Sequence, residues 1–247
     1  MSETLSVLRS NLGFVLAALG ISVLLCAIAA FFEFAVFKRR HTPGKARSVC
    51  FIALFSAVAA VLMLLDLPLF FAPSFYKLDL SELPVLICTF YLGPLSGVVC
   101  ELLKVLLKLL LKGTTTAFVG DFSNFVIGCS FVLPASVVYQ SRPTRRGAIV
   151  SLCAGTLCMT VFGSLFNAFY LVPRFCELYG IPMEAIIGMG SAVNPLVENL
   201  KTLILFAVVP FNLLKGVVDS VLALLLYKRV EKVFFVRSDR GPRSGGS

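Results

Sequence analysis

Apolar residues run through this chain in blocks too long for a soluble core. Uninterrupted or nearly uninterrupted stretches cover Leu12–Phe32, Val49–Leu65, Phe122–Gln140, Ala148–Pro173 and Thr202–Tyr227, and Leu83–Leu111 is apolar with a break at Gly93-Pro94. A helix needs about 20 apolar residues to cross a hydrocarbon core of about 30 Å, and most of these blocks are long enough. Alternation with a period of two is absent, which argues against a transmembrane β-barrel. The pattern predicts an all-α, polytopic membrane helix bundle. Leu12–Phe32 is longer than the apolar part of a signal peptide, and Lys38-Arg39-Arg40 follows it instead of preceding it, so it reads as a retained first helix.

The break at Gly93-Pro94 decides the number of crossings. Proline disfavours helix at the residue before it and cannot continue the hydrogen-bond ladder. That leaves Leu83–Leu92 as a helix of about 15 Å, roughly half a hydrocarbon core. Basic residues cluster at Lys38–Arg47, at Arg142–Arg146 and at Lys228–Arg243, and these clusters hold most of the 22 lysines and arginines. Two crossings in Leu83–Leu111 bring all three clusters to one side, as the positive-inside rule requires; one crossing separates them. The expectation is seven membrane segments, N-terminus outside and C-terminus cytoplasmic. Two loops then face outward, the aromatic-rich Asp66–Glu82 and Arg174–Glu198. The first is read as a lid over a flat apolar ligand, with an interfacial aromatic belt as the plainer alternative.

Polar residues inside these runs carry the candidate chemistry. Asn212, Lys215 and Asp219 lie one turn apart on one face of the last helix. A charge at membrane depth costs about 2.5–3.5 kcal/mol even on the lenient insertion scale, so such groups face protein or a water-filled cavity. Two readings fit: a ligand site, with Asp219 keeping Lys215 charged and oriented, or a buried Lys–Asp pair that only joins helices. Pro210 just upstream frees a backbone carbonyl one turn earlier. Glu101, Lys104, Lys108 and Lys112 also recur at helical spacing. Pairing along the helix with lysines snorkelling outward is expected there, a relay or ligand role being the alternative.

Composition narrows the classes. Of 247 residues, 58% are hydrophobic and only 14% charged, against about 25% charged in soluble domains, and the mean hydropathy is +0.95. The net charge of +9 sits beside the apolar runs and reads as an orientation signal, with no nucleic-acid partner implied. Eight cysteines are scattered without a CxxC and read as unpaired thiols. Lys112-Gly113-Thr114 lacks the glycine spacing of a phosphate-binding loop, Gly188-Met189-Gly190 is a lone GxG, and the single histidine is His41. No catalytic residue, metal ligand or cofactor is assigned, and the chain is not read as an enzyme. An integral membrane enzyme acting on lipid would need paired acids or a histidine constellation.

Four segments in order, LPLFFAPSFYKLDLSELPVL, FYLGPLSGVVCELLKVLL, VGDFSNFVIG and VPFNLLKGVVDSVLALLLYKRV, resemble the riboflavin-specific substrate-binding subunit (S component) of energy-coupling factor (ECF) transporters. The resemblance covers roughly Val49 to Lys232. It implies a six-helix S-component core, here with one extra N-terminal transmembrane helix. The corresponding division is 1–46 for that helix and its basic loop, 47–232 for the substrate-binding domain and 233–247 for a disordered cytoplasmic tail. It further implies capture of riboflavin at the outer face, delivered for ATP-driven uptake through a transmembrane coupling subunit and two cytoplasmic ATPases. Carried over by motif, Asn212 and Lys215 are expected on the ribityl hydroxyls, Lys77, Leu78 and Asp79 over the isoalloxazine ring, and Asn124 and Asn167 in the same cavity. Ala53 and Ala57 form a small-xxx-small pair of the kind that contacts the coupling subunit. Asp121 stands where the family pattern has Glu, and no ligand contact is assigned to it. A different vitamin on the same fold is the nearest alternative.

Overall fold

A computed structural model describes residues 12–37, 44–73, 75–114 and 118–230. The tail 233–247 and the basic residues 38–43 lie outside the described residues. The first helix, α1 (Leu12–Phe31), continues through a π-helical turn at Phe32–Val36, and α2 spans Lys45–Leu64. A small antiparallel hairpin follows, β1 (Leu67–Pro68) pairing with β2 (Lys77–Leu78) in the register Leu67↔Leu78. Then come α3 (Glu82–Leu92), α4 (Pro94–Lys112), α5 (Val119–Ser141) and α6 (Arg145–Phe166). A π-turn at Asn167–Leu171 leads into α7 (Val172–Tyr179), followed by α8 (Met183–Ser191). The last membrane helix starts as α9 (Leu200–Leu203), passes a π-turn at Ile204–Val208 and continues as α10 (Val209–Val230).

Among the described residues five helices are long and apolar enough to cross a membrane, and α3 is a shorter apolar one. α4 is long enough at 19 residues but carries charge, of which Glu101 and Lys104 are buried inside the bundle and Lys112 is exposed. The helices α2 to α6 and α10 form the six-helix core, with α1 packed outside it against α4 and α5. Segment Arg174–Glu198, read from sequence as a loop, instead holds most of α7 and all of α8. Both are short and carry charges, so they lacked the long apolar signature of the membrane segments.

Gly93-Pro94 breaks the third apolar block as expected. Gly93 takes φ +112°, a conformation open to glycine and strained for other residues, and both residues are buried. Pro94 occupies the first helical position of α4, where its missing N–H costs nothing. The next amide, Leu95 N–H, donates to Glu33 Oε2 at 3.0 Å. Glu33 is buried in the π-turn of α1, so the extra helix supplies an acceptor to a helix end that water does not reach. At the other end of α1, Phe14 packs edge-on against Phe122 in the first turn of α5. Helix α1 therefore runs parallel to α5 and antiparallel to α4, with its start on the face that carries the hairpin.

The freed carbonyl upstream of Pro210 is also accounted for. Its fourth predecessor is Phe206, in the π-turn, and Asn194 Nδ2 donates to Phe206 O at 3.3 Å. A proline that removes one ladder bond is thus tolerated because a side chain from the α8–α9 connection replaces the donor.

Candidate functional site

Beneath the hairpin, where α4, α5, α6, α8 and α10 converge, lies a cavity of about 610 Å³. Its size falls in the range of small-molecule sites. Phe75, Phe175, Leu171, Ile186 and Phe211 supply apolar wall. Aromatic rings interlock on the lid side: Phe75 and Tyr76 have centroids 4.6 Å apart, and Tyr76 lies 5.4 Å from Phe211 on α10. Tyr76 is buried, whereas Phe70 is 87% exposed. The loop's aromatics therefore divide between an inward-facing cover and an outward-facing remainder.

The hairpin is tied down by polar contacts. Tyr76 Oη donates to Asn167 Oδ1 at 2.7 Å, while Asn167 Nδ2 donates to Gly163 O at 2.7 Å. Burial pushes the Tyr76 phenol up from its ordinary value, so it stays protonated and acts as the donor. Asn167 opens the π-turn of α6, and π-turns recur at functional sites because they aim a side chain off the regular helical face. Gly163, one turn earlier, lets α10 come close: a Cβ there would stand 2.9 Å from Asn212 Nδ2.

Every site residue expected from sequence can be placed. Lys77, Asp79, Asn124, Asn167, Asn212 and Lys215 all line the cavity. Leu78 does not; it is half-buried and paired with Leu67 in the hairpin. Lys77 is exposed and its ammonium lies 3.0 Å from Asp66 at the rim. Ala53 and Ala57 sit exposed on one side of α2, away from the cavity. Asp79 Oδ1 accepts from Ser81 N–H at 2.9 Å, which directs Oδ2 to accept from Lys215 Nζ at 2.9 Å. Asn212 is 2% exposed and its Nδ2 has no hydrogen-bond partner among the described residues.

Two expectations are corrected. Asp219 makes no hydrogen bond to Lys215: both its carboxylate oxygens lack a hydrogen-bond partner among the described residues although the residue is fully buried. Lys215 turns instead to Asp79, with Glu82 Oε1 at 3.8 Å. Nor do the lysines of α4 all snorkel outward. Lys104 is completely buried, bound to Glu82 Oε1 at 3.0 Å and to Glu101 Oε2 at 2.6 Å. Lys108 lines the cavity, 2.5 Å from Asp121. The reason is shared: once α2, α3 and α5 pack around α4, and α3 and α6 against α10, an outward path to water is longer than the reach to a neighbouring carboxylate. Helical spacing identified these residues as one face but could not reveal that the face was internal.

The family described as "ECF transporter, substrate-specific component" matches residues 47–227. This chain belongs to that family. Riboflavin transporter RibU of Staphylococcus aureus (strain TCH60) is 36% identical over 193 residues, 78% of this chain and 95% of that protein. Riboflavin transporter FmnP of Bacillus subtilis (strain 168) is 30% identical over 188 residues, 76% and 93% of the two chains. A solved structure described as the S component of a bacterial ECF transporter superposes with a TM-score of 0.60 at 32% identity, covering 76% of this chain and 98% of that one. For this ECF substrate-specific component, α1 lies wholly before the matched residues and is an addition to the family core.

Proposed function

We propose that this ECF substrate-specific component binds riboflavin in the cavity beneath the hairpin and delivers it for ATP-driven uptake. The observation that carries the reading is Asn212 Nδ2, a buried amide donor in the cavity wall with no partner among the described residues. A buried donor left unmade costs about 1–3 kcal/mol, which a ligand hydroxyl or carbonyl offsets. Lys215 stands beside it with three N–H groups, one spent on Asp79. Aromatic and aliphatic walls suit the flat ring, and the hydrogen-bonding groups on α6 and α10 suit a polyol tail. The relatives' description as riboflavin transporters points to the same ligand.

The chain carries no ATP-binding loop, so energy is supplied by partner subunits: a membrane coupling protein, engaged through the Ala53–Ala57 face of α2, and two cytoplasmic ATPases. The hairpin faces the outside of the cell, the N-terminus lies on that side and the C-terminus is cytoplasmic, an orientation that rests on the basic clusters.

Detergent-purified, monodisperse protein provides the test, with binding read by quenching of flavin fluorescence. Asn212→Ala and Lys215→Ala should each weaken riboflavin binding by roughly tenfold to 150-fold, the equivalent of about 1.5–3 kcal/mol for a buried or charge-assisted hydrogen bond. Lys201→Ala, on an exposed helix end, should leave it unchanged. Wild-type affinity in both cavity variants would remove the assignment.

A further inference from the structure

A second group of polar residues lines the cavity on α4 and α5, apart from those on α6 and α10. Asp121, in the first turn of α5, is 3% exposed. Its Oδ1 accepts from Lys108, while Oδ2 has no hydrogen-bond partner among the described residues. An ionised carboxylate only accepts, so an unmatched buried Oδ2 in a cavity wall selects a ligand that presents an N–H or O–H.

The neighbours define which kind. Lys108 Nζ has three N–H groups, one given to Asp121 and one to Gly113 O at 3.3 Å, leaving one. Asn124 lies one turn along α5 from Asp121 and also lines the cavity. Its Nδ2 gives one N–H to Gly120 O at 3.3 Å and retains the other. The wall therefore offers a donor from Lys108, an acceptor from Asp121 and a donor from Asn124. A cyclic imide presents the complement along one edge: carbonyl, N–H, carbonyl. The pyrimidine end of a flavin carries such an edge, and the ribityl tail, whose hydroxyls both donate and accept, does not need it.

We infer that Lys108, Asp121 and Asn124 read the imide edge of the flavin ring, with Asp121 Oδ2 accepting from the imide N–H. This rests on the riboflavin reading above and deepens it. It gives the ligand one orientation, with the imide edge toward α4 and α5 and the ribityl tail toward Asn212 and Lys215. It also assigns Asp121 to specificity: a compound of the same shape whose imide nitrogen is alkylated has no proton to give and brings a methyl group against the carboxylate.

The test measures affinities of riboflavin, 3-methylriboflavin and lumiflavin, which lacks the ribityl tail, for wild type, Asp121→Ala and Lys215→Ala. Wild type should bind 3-methylriboflavin at least about tenfold more weakly than riboflavin, the scale of a buried charge-assisted hydrogen bond. Asp121→Ala should bind those two within about twofold of each other, yet keep the wild-type preference for riboflavin over lumiflavin. Lys215→Ala should do the reverse. A purely structural role for Asp121 would lower all affinities together and leave both ratios alone, and that outcome overturns the assignment. Asp121→Asn retains the side-chain shape if the alanine variant fails to fold; its neutral oxygen is the weaker acceptor, so its 3-methyl discrimination should fall at least about threefold. An unchanged ratio there overturns the proposal as well. Folded wild-type protein that binds no riboflavin overturns the ligand reading and this one together. Riboflavin binding with full 3-methyl tolerance overturns only this one.

Discussion

Lys104 is the most demanding residue in the bundle, and replacing it by methionine tests how the buried charge cluster next to Lys215 is held. Its ammonium is fully buried, 3.0 Å from Glu82 and 2.6 Å from Glu101, and Glu82 lies 3.8 Å from Lys215. Without Lys104, four buried carboxylates (Asp79, Glu82, Glu101 and Asp219) share one remaining lysine, Lys215. Breaking a buried pair by removing one partner costs about 3–5 kcal/mol, because the stranded charge is not rehydrated. For a chain of this length each kcal/mol shifts the thermal midpoint by about 2–4 °C, so Lys104→Met should melt roughly 6–20 °C lower. Adding Glu101→Gln removes one charge of the opposite sign and should restore at least about half of the loss, since contacting residues are not additive. Midpoints are read by heating detergent-solubilised protein and measuring the surviving monodisperse peak. A midpoint within about 2 °C of wild type, or a double variant equal to the sum of the singles, would refute the reasoning.

Glu33→Ala should destabilise the core by about 1–3 kcal/mol by leaving Leu95 N–H buried without its acceptor, and Glu33→Gln, which keeps a carbonyl oxygen, should recover most of it; equal melting points for the two variants would contradict this. Single cysteines at Ser141 and Ser191, in a background cleared of native cysteines, test sidedness: an impermeant reagent applied outside should label Ser191→Cys and spare Ser141→Cys. Ala53→Trp or Ala57→Trp, on the exposed side of α2, should abolish transport while riboflavin binding persists, because a bulky ring keeps a partner helix at a distance. Loss of both together would assign that face to folding instead.

Most membrane segments were legible because each is a run of apolar residues whose length alone decides its fate. The break at Gly93-Pro94 and the freed carbonyl before Pro210 were legible for a related reason: proline chemistry acts within one turn. Helices α7 and α8 were not, because Arg174, Glu177 and Glu184 interrupt segments too short to show a clear apolar face. Of the cavity, Asn212 and Lys215 could be found since a polar side chain in an apolar run must face inward. From sequence, Asp121 is assigned no ligand contact, and Lys108 is expected to pair along its own helix or point outward. Each stands near a helix end at the hairpin face, where a charge is ordinary, and only the packing of α4 against α5 makes the pair part of the wall.

The exchange of partners at Lys215 explains why spacing within a helix does not predict pairing inside a bundle. Asp219 shares its face one turn away, yet the ammonium bonds to Asp79, 136 positions earlier. A lysine stem spans more than a helical turn, so every carboxylate on adjoining elements competes, and the winner is the one already oriented. Asp79 is oriented by Ser81 N–H, whereas Asp219 has no such donor among the described residues. The consequence reaches the function: the carboxylate that wins belongs to the segment leading out of the hairpin, while the lysine belongs to the cavity wall. A ligand group that bonded to Lys215 would therefore meet the same ammonium that holds Asp79 at the base of the cover.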